Sequence, residues 1–356
     1  MSDVPEDNKD DSLEIKFEHE KSKNPIEEGK KRQEIIEKES IPHFFPTFRI
    51  SRKLYPLPIV IVVICAGLLA YATYVMAGIQ IEGGYVSEEE HGITAGIING
   101  LIFTAMAAIS AFIIIYLVKK RGIEILKYVF GCTFGFLGFI LTVFFGEIIL
   151  FLLFFNSPSI EIEITTYYII YYIFLFGTGS LTVLMIYKYF TSESFFTKNF
   201  IVLYLGLLVG ALMGVIMPLW TTLAILIGIS LWDIYAVKAK KGPIKEMIDL
   251  ASKENVKDDV SEAEIERKLK NGELIYDTSK LEIGIGDLAF YSMLTSSALI
   301  LTGYLIVMIL TSIAIIIGTG ITIQGLKHNK ILPGLPISIF LGIGTMLLSW
   351  HLISII

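Results

Sequence analysis

Residues 282–304 read EIGIGDLAFYSMLTSSALILTGY. Past Glu282 the run is apolar or weakly polar for about twenty residues, the length an α-helix needs to cross a hydrocarbon layer of ~30 Å. It nevertheless carries a carboxylate, Asp287, near its start. An ionised side chain inside a bilayer is costly, and such groups turn toward a bundle interior or a wet cavity, where they mark function.

Eight further runs of the same kind surround this one. Spans are predicted at 57–78, 93–118, 128–155, 167–187, 200–217, 219–237, 283–300, 303–323 and 331–352. With 54% hydrophobic residues among 356 and a mean hydropathy of +0.66, the fold class is an all-α polytopic membrane protein of nine transmembrane helices. The first run starts only at Leu57, behind a long charged segment, and reads as an uncleaved first helix rather than a secretory signal. Cys65 and Cys132 both fall inside predicted spans without C-x-x-C spacing. They read as buried, inert thiols, with neither a disulfide framework nor a thiolate metal site.

Charge sets the orientation. The loops at 79–92, 156–166, 217–219 and 301–303 hold no Lys or Arg, whereas all 29 of the chain's basic residues lie before residue 57 or in 119–127, 188–199, 238–282 and 324–330. By the positive-inside rule the N-terminus is cytoplasmic, the C-terminus is outside and the number of spans is odd. The formal net charge of −6 says little about partners, since acidic residues weigh little in that rule, and nucleic acid is not expected among them.

Four regions follow. Residues 1–56 form a cytoplasmic tail, expected to be disordered over its charge-dense first forty residues, and then an interfacial anchor, IPHFFPTFRISRKLYPLP. Residues 57–237 form a six-span bundle. Residues 238–282 form a charged cytoplasmic loop in which IKEMIDLASKE and VSEAEIERKLKNG predict two short amphipathic helices. Residues 283–356 supply the last three spans.

Asp287 has a counterpart. Asp233, in ISLWDIYAVKAKK, lies five residues before Lys238, which at ~1.5 Å per residue places it roughly 7 Å inside the cytoplasmic end of the sixth span. Entering from the same side, the two acids reach the same depth on consecutive antiparallel helices, where they can meet across the interface. Two desolvated carboxyls in contact cannot both ionise, so the pair shares one proton. An aspartyl protease works this way: one carboxylate takes a proton from water while the protonated partner polarises the peptide carbonyl, with no metal or cofactor. Gly284 and Gly286 lack Cβ atoms and predict close backbone approach beside Asp287. Tyr291 and Thr295 continue its helical face as a polar stripe expected to line water. Glu147 sits deeper, in the third span, without a matching acid. It is expected to hydrogen-bond against another helix, and His91 and His351 to lie at outer interfaces.

These residues also form a recognisable set. Asp233 with AVKAKKGPIKEMIDLASKEN behind it, then GIGDLAFYSML, then LPGLPISIFLGIG resembles, over roughly residues 55–356, the presenilins and their archaeal homologues, the G-x-G-D intramembrane aspartyl proteases. The resemblance implies that Asp233 and Asp287 are the catalytic pair, supported by Gly284, Ile285, Gly286 and Tyr291. It also implies that Pro333, Gly334, Leu335 and Pro336 correspond to the family's P-A-L-P motif. Two prolines opening a helix leave backbone carbonyls unpaired, which suits a cavity lining, and a freed substrate strand could pair with such backbone. Three departures stand out. Trp232 replaces the usual Tyr before the first aspartate, Ile285 replaces Leu, and Gly334 replaces Ala. The loop 238–282 lacks the apolar segment at which presenilins are cut, so a protease active as one uncut chain is expected, without obligatory accessory subunits.

The expected function is therefore an intramembrane aspartic endopeptidase that hydrolyses single-span transmembrane helices in the lipid bilayer. Basic residues of 238–282 put the catalytic loop in the cytoplasm, opposite to signal peptide peptidase. The alternative from another class is a cation or proton transporter or channel using paired carboxylates. A prepilin-type leader peptidase is a further alternative. Transport folds often repeat broken helices in both halves, whereas Gly/Pro interruptions here cluster toward the C-terminal end. Abundant Ile and Lys and no N-x-S/T sequon point to the plasma membrane of an archaeon or bacterium.

Overall fold

The computed structural model describes residues 46–122, 124–154, 163–192, 194–239, 242–243, 246, 280–325 and 333–355. All belong to one compact unit built from Phe44–Asp258 and Thr278–Ile356. The expected disorder of the first forty residues and the two amphipathic helices of the 238–282 loop lie outside the described residues.

Among the described residues nine helices are long and apolar enough to cross a membrane: α1 (Pro56–Tyr71), α2 (Ile93–Arg121), α3 (Ile125–Phe154), α4 (Ile164–Thr191), α5 (Phe195–Ile216), α6 (Leu219–Lys238), α7 (Ile285–Thr302), α8 (Leu305–Gly325) and α9 (Leu335–Ile355). Each coincides with a predicted span. α1 begins with Pro56, whose missing N–H is not needed at a helix start, and runs on through a π-helical turn at Ala72–Met76. α7 stops at Gly303, which adopts the left-handed conformation (φ 72°) open to a residue without Cβ while its N–H closes on the Leu299 carbonyl at 2.9 Å.

α7 is the centre of the bundle. It packs chiefly on α5 and α1, then on α8, and touches α6 and α9, and 61% of its apolar window is buried against 6% for α4 at the rim. A helix surrounded by protein rather than lipid can carry hydroxyls, and Ser292, Thr295, Ser296 and Ser297 are all fully buried. Small residues set how closely its neighbour approaches. On α5, Gly206, Gly210 and Gly214 recur every fourth residue and face α7. A Cβ at Gly210 would lie 2.7 Å from the Ala289 carbonyl oxygen. α6 is gripped in the same way by α2, where a Cβ on Gly96 or Gly100 would lie 2.7 Å from the backbone of Trp220 or Ala224. Neither ridge was expected, although the four-residue spacing of glycines in LYLGLLVGALMGVI marks the one on α5.

At the end of α6 remote from Asp233, Glu88 accepts the N–H groups of Trp220 and Thr221. A carboxylate is favoured there because the first amides of a helix lack intrahelical partners. Fully buried Asn99 accepts from the amides of Tyr85 (2.9 Å) and Val86 (3.0 Å) and donates to the Val86 carbonyl and Thr221 Oγ1. The connection between α1 and α2 is thereby fixed to the head of α6.

Two strands were not foreseen. Thr47–Ser51 (β1), part of the expected interfacial anchor, pairs antiparallel with Lys280–Gly284 (β2), just before α7, in the register Arg49↔Glu282. Both segments alternate polar and apolar residues, so that Phe48, Ile50, Leu281 and Ile283 share one face and Thr47, Arg49 and Glu282 the other. The span expected from residue 283 begins as helix only at Ile285, because Lys280–Gly284 is strand.

The expectation for the two cysteines is corrected. Cys132 is exposed on the flank of α3 and Cys65 half-buried, rather than both buried. Glu147 is exposed yet close to Tyr167 of α4, a neighbouring helix, because α3 turns Leu141, Phe145 and Ile148 inward. His91 and His351 are exposed near helix ends.

Candidate active site

Asp233 and Asp287 are both half-buried, on the last two turns of α6 and the first turn of α7. Their helices do not meet by a long shared face. The head of α9, which packs on α6 and also touches α7, stands beside both acids. The Leu335 N–H donates to Asp233 Oδ2 at 3.2 Å, and the Gly334 N–H is directed at the same carboxylate. A Cβ on Gly334 would lie 3.3 Å from Asp287 Oδ2. One short stretch of backbone is thus bonded to Asp233 and lies beside Asp287, and the two acids are close enough for their charges to interact.

Helix ends explain this arrangement. Pro333 and Pro336 are buried at the start of α9 and prevent the chain from coiling upstream, so the amides of Gly334 and Leu335 have no helical acceptor and face outward. A carboxylate completes them, aided by the positive end of the α9 dipole. The expectation for P-G-L-P centred on unpaired carbonyls, whereas its amide donors are the groups engaged at Asp233. On the other side, the Gly284 N–H is directed at Asp287, in the manner of a carboxylate closing its own helix start.

The remaining sequence-predicted residues divide. Gly284 and Gly286 lie near Asp287 without the expected crowding, since a Cβ on either would meet nothing closer than 3.8 Å. Ile285 is half-buried, and its N–H donates to the Pro46 carbonyl at 3.2 Å. Tyr291 does not line an open surface. It is 1% exposed, its hydroxyl accepts from Thr319 Oγ1 at 3.5 Å, and Thr319 shares a 3.1 Å hydrogen bond with Ser338, tying α7 to α8 and α9. Thr295 bonds back to the carbonyls of Tyr291 and Ser292, which satisfies its hydroxyl in a protein-filled interface. The predicted polar stripe is therefore helix-packing surface. Trp232 turns to α2, edge-on to Phe112 at 5.9 Å, and Tyr235 is exposed.

Comparison with known proteins places this architecture. The Presenilin family model matches the chain in two stretches, residues 57–260 and 252–355. The chain belongs to the presenilin family. Presenilin-B of Dictyostelium discoideum is 35% identical over 133 residues, 36% of this chain and 25% of that protein. The chain thus matches a quarter of that relative's length. A presenilin-like protein of Arabidopsis thaliana is 24% identical over 320 residues, covering 69% of this chain and 76% of its own. Two solved structures of a presenilin family intramembrane aspartate protease superimpose with TM-scores of 0.52 and 0.51 at 16% and 14% identity, each covering 83% of this chain and 96% or 99% of the other. At such identity the likeness is one of fold, and it agrees with the nine-helix presenilin architecture expected from the sequence.

Proposed function

We propose that this presenilin-family chain is an intramembrane aspartic endopeptidase with Asp233 and Asp287 as its catalytic pair. The observation that carries the reading is the convergence of both carboxylates on the Gly334–Leu335 backbone. One carboxylate removes a proton from a water while the other, protonated, donates to the scissile carbonyl oxygen, giving a gem-diol. Collapse breaks the C–N bond as a proton passes to the leaving nitrogen, and the dyad returns to its singly protonated state. Substrates are single-span transmembrane helices, N-terminus outside, which unwind beside the acids and are held there by strand addition. The chain works uncut and without obligatory subunits. Its basic loops face the cytoplasm of an archaeon or bacterium, in the plasma membrane.

The test is cleavage of a labelled single-span peptide by purified protein in bicelles. Asp233→Asn and Asp287→Asn should each reduce the rate by at least about a thousandfold, as losses within a unit that acts together do, with the thermal midpoint unchanged. An intact peptide with wild-type protein, together with carboxylate-dependent ion flux in liposomes, would replace hydrolysis by transport.

A further inference from the structure

Three hydroxyls lie one helical turn beyond the acids. Tyr291 follows Asp287 by four residues on α7, and Ser338 follows Gly334 by four on α9, so each sits about one turn further along its helix and on the same face. Thr319 on α8 joins them. Its Oγ1 lies 3.5 Å from the Tyr291 hydroxyl and 3.1 Å from Ser338 Oγ, and the Ser338 hydroxyl is directed at Tyr291 as well. All three residues are buried. A hydroxyl donates one hydrogen bond and accepts two, so three in a ring satisfy one another, whereas any one left alone in such an interior would be costly.

The packing of the helices gives this triangle leverage. α9 packs chiefly on α8 and only touches α7, so no long shared face sets the distance from the head of α9 to Asp287. α8 is held hard against α9 at the level of the triangle, since a Cβ on Gly318 would lie 2.6 Å from Ser338 Cα and 3.0 Å from its amide nitrogen. Ser338 is thereby fixed against the α8 backbone, and the hydroxyls carry that position across to α7. One turn back along α9 is the backbone bonded to Asp233, and one turn back along α7 is Asp287.

We infer that Thr319 and Ser338 are positioning residues that act through Tyr291 to set the spacing between Asp287 and the head of α9. This rests on the protease reading above. Among the described residues neither acid takes a hydrogen bond from the three hydroxyls, so their effect falls on the geometry of the pair and not on the hold on substrate. Turnover, rather than KM, is the quantity they govern.

The full-length protein in bicelles is given a labelled single-span peptide over a range of concentrations. Thr319→Val keeps the shape of the side chain and removes the hydroxyl, whereas Thr319→Ser keeps the hydroxyl and removes a methyl. Thr319→Val should lower kcat roughly ten- to a hundredfold, as displacement of reacting groups by about 1 Å does, with KM within about twofold. Thr319→Ser should stay close to wild type. Ser338→Ala should match Thr319→Val, and the two combined should lose little more than either alone, as members of a unit do. Met346→Ala separates positioning from stability, because it opens a cavity in a fully buried part of α9 twelve residues beyond Gly334. It should lower the thermal midpoint and leave kcat unchanged below it. A wild-type kcat in Thr319→Val, or an equal loss in Thr319→Val and Thr319→Ser, overturns the inference and leaves the protease reading intact. So does a rise in KM in place of the fall in kcat, a double variant whose losses multiply, or an equal fall of kcat in Met346→Ala. Wild type that cleaves no peptide refutes the protease reading itself.

Discussion

At Gly334 the geometry is tight enough to rank substitutions. A single methyl would stand 3.3 Å from Asp287 Oδ2, a contact that a shift of a few tenths of an ångström relieves. Gly334→Ala should therefore keep cleavage within several-fold of wild type, while the branched side chain of Gly334→Val cannot be accommodated and should abolish it; initial rates on one peptide settle the comparison. Cys132 offers a second test, because it is exposed on the flank of α3 inside the predicted span. It should react with a lipid-soluble maleimide and resist a charged thiol reagent. A carboxylate in an apolar run is conspicuous, so Asp233 and Asp287 could be found from the sequence. The backbone donors that meet Asp233 could not, since an amide carries no side-chain signature and only the two prolines hinted at a helix start there.

At the level of elements, the α5–α7 contact depends on glycines whose absent side chains leave room for Ser292 and Ser296. Gly210→Leu should force the helices apart and destabilise the bundle by about 1–3 kcal/mol or more, as overpacking does. The change would read out as a lower thermal midpoint in detergent together with slower cleavage. Asn99→Ala leaves the amides of Tyr85 and Val86 and the Thr221 hydroxyl without their partner, so hydrogen exchange at residues 85 and 86 should accelerate by roughly tenfold or more, consistent with about 1–3 kcal/mol per buried unsatisfied group. Helix positions were legible because twenty apolar residues in a row admit few other structures. Helix neighbours were not, because lipid and protein interiors are both apolar and the distinction rests on small residues such as Gly96 and Gly210. The ribbon was written in the alternation of TFRIS and KLEIG, but each segment is five residues long and they lie 235 positions apart at Thr47 and Glu282, so neither signals its partner.

Across the whole molecule, orientation remains the property that charge alone proposes. Cysteine placed at Glu89, within the short helix Glu88–His91, in a background lacking Cys65 and Cys132, should label from the external medium in intact cells. Cysteine at Lys127 should label only after permeabilisation; the reverse pattern would invert the proposed topology. The two acid-bearing helices are clasped by different neighbours, α6 by α2 and α7 by α5, and the first turn of α9 bridges them. The turn is bonded to the α6 acid and lies next to the α7 acid. In the proposed dyad that turn is a spacer: the gap between the acids would follow one helix end while the rest of the bundle flexes around it.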